Sequence, residues 1–165
     1  MKRILLLCIL SSTVVLAQNN QGQLAHQYFQ QGEYSKAIDI YKELNKKSIS
    51  ASYFNPYLNC LIQIEDFKGA EKLASKMVRK YPKSLNYQVD LGFLQKKNGK
   101  KKKAKRTYQS AIDKLSKQSN QAIGLGNAFL LRKEYEFALA TYQKAKVLSP
   151  TYPFDMQIAN VYNQM

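Results

Sequence analysis

Apolar positions recur along this chain with a helical period, and the helical pattern itself repeats. Four segments, AHQYFQQGEYSKAIDIYKEL, LNCLIQIEDFKGAEKLASKM, GFLQKKNGKKKKAKRTYQSA and GNAFLLRKEYEFALATYQKA, align from Ala25, Leu58, Gly92 and Gly126. In the second half of each, residues such as Ala37, Tyr41 and Leu44, or Ala138, Tyr142 and Ala145, fall at i, i+4 and i+7 and share one helical face. The first halves also gather apolar and small residues on one face, at i, i+1 and i+4, with Leu24, Ala25 and Tyr28, or Leu125, Gly126 and Phe129. Polar or glycine-bearing pairs divide the halves: Gly32-Glu33, Glu65-Asp66, Asn98-Gly99 and Lys133-Glu134. Pro82 and Pro150 follow the second and fourth segments, where a helix should stop. The pattern predicts helix–turn–helix units with no strand.

The register between units is constant. Alanine recurs at Ala37, Ala70, Ala104 and Ala138, followed by Tyr41, Ala74, Tyr108 and Tyr142. Small residues at Ala25, Gly92, Gly126 and Ala159 allow the paired helices to approach closely, and the segment IANVYNQM starts the pattern a fifth time with Ala159 and Tyr162. This spacing and these residues resemble the tetratricopeptide repeat over residues 18–165. The resemblance implies an all-α fold, a right-handed superhelical solenoid in which stacked units complete one another's cores. The units would span residues 18–50, 51–84, 85–118 and 119–151, with 152–165 as the first helix of a fifth repeat or a capping helix. Leu58, Gln95 and Lys101 depart from the pattern, and Pro56 must either begin its helix behind Asn55 or kink it. The third unit is the least regular and is expected to fray first or to carry specificity. Apolar Met165 as last residue points to the N-terminal part of a longer array.

Residues 1–17 read differently. Lys2 and Arg3 precede a continuous apolar run from Ile4 to Leu10, and Val15-Leu16-Ala17 offers a cleavage site before Gln18. This is the layout of a secretory signal peptide, since the run is shorter than a membrane span requires. The expected location is the periplasm, cell surface or exterior of a bacterium, with no transmembrane span after cleavage. Cys60 would then be the only cysteine, and its neighbours Tyr57, Leu58, Leu61 and Ile62 mark it as a small buried residue rather than a nucleophile.

The residues speak for binding rather than catalysis. His26 is the only histidine, and neither a phosphate-cradling glycine loop nor a metal-ligand cluster occurs. No catalytic residue and no cofactor is expected. One residue past the small position, the units read His26, Asn59, Phe93, Asn127 and Asn160, while Ser52, Asn86 and Asn120 stand near the starts of the same helices. The resemblance places these positions on a concave groove, where asparagine can both donate to and accept from an extended peptide. Phe93, Ile123, Leu130 and Leu131 would add apolar contacts. A groove for a C-terminal carboxylate would require lysine and arginine where this chain has Gly22, Asn55, Val89 and Ile123. The expected partner is therefore a protein or peptide segment.

Charge adds a second candidate. The chain carries 26 basic and 11 acidic residues, a formal +15, which loss of Lys2 and Arg3 would lower by two. Eight of the basic residues lie in KKNGKKKKAKR, residues 96–106. Lys96 and Lys97 complement the end of one helix, but Lys100, Lys101, Lys102 and Lys103 oppose the dipole at the start of the next. This basic turn could take an anionic membrane surface, a polyanion or an acidic protein; export argues against nucleic acid.

Overall fold

The structure is a computed structural model that describes residues 21–46 and 50–165; the signal-like segment lies outside the described residues. Among the described residues every regular element is an α-helix: α1 over residues 21–30, α2 Tyr34–Leu44, α3 Ala51–Gln63, α4 Phe67–Lys80, α5 Asn86–Lys97, α6 Lys101–Asp113, α7 Ser119–Leu131, α8 Tyr135–Leu148 and α9 Asp155–Gln164. The chain forms two compact units, Met1–Ala70 and Glu71–Met165.

One turn design recurs four times. Gly32, Glu65, Gly99 and Lys133 all take positive φ, at 75°, 58°, 76° and 55°. The amide of the next residue reaches back five positions in every case: Glu33 to Tyr28, Asp66 to Leu61, Lys100 to Gln95 and Glu134 to Phe129. This left-handed closure satisfies carbonyls at the helix end. Glycine adopts the conformation freely, whereas Glu65 and Lys133 do so at a cost.

In the first unit, α2 packs against α3. Tyr41 stacks with Tyr57 at 5.7 Å between ring centres, amid buried Ala37, Phe54, Cys60 and Leu61. Ser50 caps α3 by accepting from the Ser52 amide, so the helix begins at Ala51. Pro56 therefore lies inside the helix and does not start it; the serine cap is the stronger local signal.

In the second unit, α5 packs on α6, α7 on α8 and α8 on α9, while α5 lies beside α7 and α6 beside α8. A Cβ at Gly92 would collide with the ring of Tyr108, and one at Gly126 with the ring of Tyr142. Each glycine is thus the seat of a tyrosine from the following helix. Tyr108 meets Phe129 edge-on at 5.2 Å, and Tyr142 leads on to Phe154 at 6.2 Å. Gln95, one of the departures from the repeat pattern, is 2% exposed and accepts from the Thr107 hydroxyl at 2.8 Å. A part-buried hydrogen bond thus ties α5 to α6 and satisfies the buried amide oxygen.

Candidate functional site

The side-by-side placement of α5 and α7 builds a mixed polar and apolar strip. Asn86, Asp90, Phe93 and Lys97 follow helical spacing along one face of α5, and Asn120, Gly124, Asn127 and Leu131 do so on α7. The Asn86 amide lies over Gly124, with its Oδ1 3.7 Å from where a Cβ would be. Arg132 donates to Asp90 Oδ1 from Nε at 3.1 Å and from Nη2 at 2.6 Å. The same guanidinium sits 4.5 Å from the centre of the Phe93 ring, and Lys97 approaches that ring at 5.7 Å. Burial pushes the Asp90 carboxyl above its ordinary range, and the Arg132 charge and hydrogen bond offset this only in part. The Asp90–Arg132 pair is absent from the repeat register. Its one sequence signal is that Asp90 is the only acid of α5.

The asparagines differ in how they are held. Asn127 is exposed, yet its Oδ1 accepts from the buried Tyr142 hydroxyl at 2.9 Å, leaving the amide N–H groups for a partner. Asn160 is exposed on α9 and accepts from Gln164 at 3.2 Å. Asn86 and Asn120 are exposed at the starts of α5 and α7. Asn59 and Ser52 are exposed on α3, in the first unit. His26 is exposed beside Gln30 at 3.2 Å. Of the apolar candidates, Ile123 and Leu130 pack against the core, whereas Leu131 is 84% exposed and Phe93 is half-buried.

The basic run separates into two sets. Lys96 donates to Glu134 at 2.8 Å, and Lys100 to Glu71 at 2.8 Å, with Lys103 3.9 Å from Glu71. Asn98 also donates to Glu71, and the Tyr108 hydroxyl to Glu134. Burial works to raise the Glu71 carboxyl, but the hydrogen bonds from Lys100 and Asn98 and the lysine charges outweigh it and bring it below its ordinary value. Glu71 explains how Lys100 and Lys103 are tolerated at the start of α6. Lys101 and Lys102 are exposed and form no ion pair among the described residues. Lys102 joins Lys105, Arg106 and Gln109 around a shallow hollow of about 360 Å³.

Among the described residues, no group of three or more His, Cys, Asp or Glu side chains is placed to hold a metal, and no helix is long and apolar enough to cross a membrane. Cys60 is buried, and burial pushes its thiol up to about 11, away from nucleophile chemistry at neutral pH.

The tetratricopeptide-repeat family model matches residues 88–116, covering most of α5, its turn and α6. Residues 88–116 are thus a tetratricopeptide repeat. The match falls on the unit whose sequence is least regular, where the Gly92–Tyr108 seat is intact. Two solved structures share the repeat fold at a TM-score of 0.50. One, a MamA double mutant titled RS-1 ArsTM, is 17% identical over 79% of this chain and 74% of its own. The other, a further MamA mutant, is 16% identical over 91% and 84%. A thermophilic TPR protein of Thermus thermophilus is 16% identical over 90% of this chain and 82% of its own, at 0.49. No curated protein matches the chain in sequence. Tetratricopeptide-repeat proteins are in general non-catalytic scaffolds for other proteins.

Proposed function

We propose that this protein is an exported, non-catalytic interaction scaffold that holds an extended peptide or protein segment against the α5/α7 strip. The observation that carries the reading is Asn127. Its carbonyl is fixed by the Tyr142 hydroxyl, so its two amide protons are presented outward without the entropy cost of ordering a free side chain. Asn86 supplies a second amide on α5, Phe93 and Leu131 supply apolar surface, and Arg132 is already pinned by Asp90. The apolar run from Ile4 and the site before Gln18 support export.

Selection of a random peptide library on the intact protein tests the groove. Peptides enriched by wild type should bind Asn86→Ala/Asn127→Ala about tenfold more weakly, as expected for two neutral hydrogen bonds. Equal binding by the variant would remove the strip from consideration. Expression in a bacterial host with N-terminal sequencing of the recovered protein tests export: a chain starting at Gln18 is expected, and a retained Met1 would overturn this part.

A further inference from the structure

The lysines that Glu71 and Glu134 engage leave a second surface, on the solvent side of α6. Ala104, Tyr108, Ala111 and Ile112 bury one side of this helix. Lys102, Lys105, Arg106 and Gln109 are exposed on the other, and Lys101 is exposed beside them at the helix start. Four cations thus stand within about 8 Å of helix axis, at a rise of about 1.5 Å per residue. The acid that α6 itself carries, Asp113, lies at the far end, with Gln109 at 3.0 Å and Lys144 at 3.8 Å. Acids facing α6 from elsewhere are engaged with the other set: Glu71 with Lys100 and Asn98, Glu134 with Lys96 and Tyr108.

We infer that this face of α6 is a docking surface for an anionic lipid bilayer, with headgroup phosphates lodging among Lys102, Lys105 and Arg106. Charge complementarity selects a planar array of anions. The cations form a stripe on the outside of a helix, around a hollow too shallow to enclose a ligand. No aromatic ring is exposed on α6 to stack a base, since its one aromatic, Tyr108, is 1% exposed. The stripe also lacks apolar residues, so contact stays at the headgroup plane and salt reverses it fully. The surface is distinct from the α5/α7 strip and does not depend on peptide binding there.

Co-sedimentation with vesicles tests the inference. Binding is expected to phosphatidylglycerol–phosphatidylcholine vesicles but not to phosphatidylcholine alone, with complete release in high salt. Lys101→Gln/Lys102→Gln/Lys105→Gln/Arg106→Gln should lower the partition by about fivefold per charge, and at least about a hundredfold in all. Should that variant not fold by circular dichroism, Lys101→Gln/Lys105→Gln and Lys102→Gln/Arg106→Gln should each carry part of the loss. A charge-matched control replaces exposed Lys72, Lys76, Lys83 and Lys114 with glutamine. An equal loss in that control would assign binding to net charge and overturn the inference. So would absence of binding to the anionic vesicles, or their displacement by duplex DNA at equal phosphate, which would identify nucleic acid as the preferred partner.

Discussion

The Tyr142 hydroxyl donates to Asn127 across 2.9 Å, while its ring fills the space a Cβ on Gly126 would need. One side chain thus seals the α7/α8 seam and orients a surface amide. Packing and recognition are coupled at this point, because the ring position sets the hydroxyl position. Tyr108 is seated in the same way by Gly92 but gives its hydroxyl to Glu134.

The seat can be tested by adding bulk. Gly126→Val should destabilise the protein by about 1–3 kcal/mol, since the ring cannot move without disturbing its packed neighbours. Combining it with Tyr142→Leu should recover part of that loss. Urea denaturation of the two variants and the wild type is the measurement; no recovery in the double variant would contradict the pairing.

Three tyrosines in equivalent register should respond differently to loss of the hydroxyl. Tyr41 is buried, and its hydroxyl has no hydrogen-bond partner among the described residues, whereas Tyr108 and Tyr142 donate to Glu134 and Asn127. Tyr41→Phe should therefore be neutral or stabilising by up to about 1 kcal/mol, and the other two destabilising by about 1 kcal/mol or more. Thermal melts of the three variants would show the order directly.

The left-handed turns offer a gain in stability. Lys133 holds a φ of 55° that glycine adopts more easily. Lys133→Gly should stabilise by up to about 1 kcal/mol, and Gly99→Ala, at a φ of 76°, should cost a similar amount. Chemical denaturation at neutral pH checks both.

Two carboxylates should give opposite pH dependence. The Glu71 carboxyl lies below its ordinary 4.5, so its contribution is present above that pH and is lost as pH falls through the folded-state value. Glu71→Gln should remove this acid-side loss. The Asp90 carboxyl lies above its ordinary 3.8, so its contribution is complete below 3.8 and declines as pH rises through the raised value. Asp90→Asn should therefore gain on wild type as pH rises above 3.8. Stability curves against pH for the two variants, run in parallel, separate the effects.

Much of the architecture was legible because it depends on local periodicity. Ala37, Tyr41 and Leu44 mark a helical face at their own spacing, and Gly32 and Gly99 mark turns by their own conformational freedom. The tyrosine seats were nearly readable too: the step from Gly92 to Tyr108 equals that from Gly126 to Tyr142 and from Ala25 to Tyr41. The candidate surfaces were less legible. The asparagine positions could be assigned by register, but the tie from Asn127 to Tyr142 could not, and the Asp90–Arg132 pair left almost no trace.

By itself, the sequence determined the helical units, their register, their turns and the strong excess of positive charge, since each follows from residues close together in the chain. Only the tertiary structure decided which of those charges are engaged and which are exposed. Lys96 and Lys100 meet acids many positions away, while Lys101 and Lys102, the two residues after Lys100, are exposed to solvent. The physical reason is geometric. A helix turns successive lysines in different directions, and whether an acid waits in each direction depends on how separate helices pack.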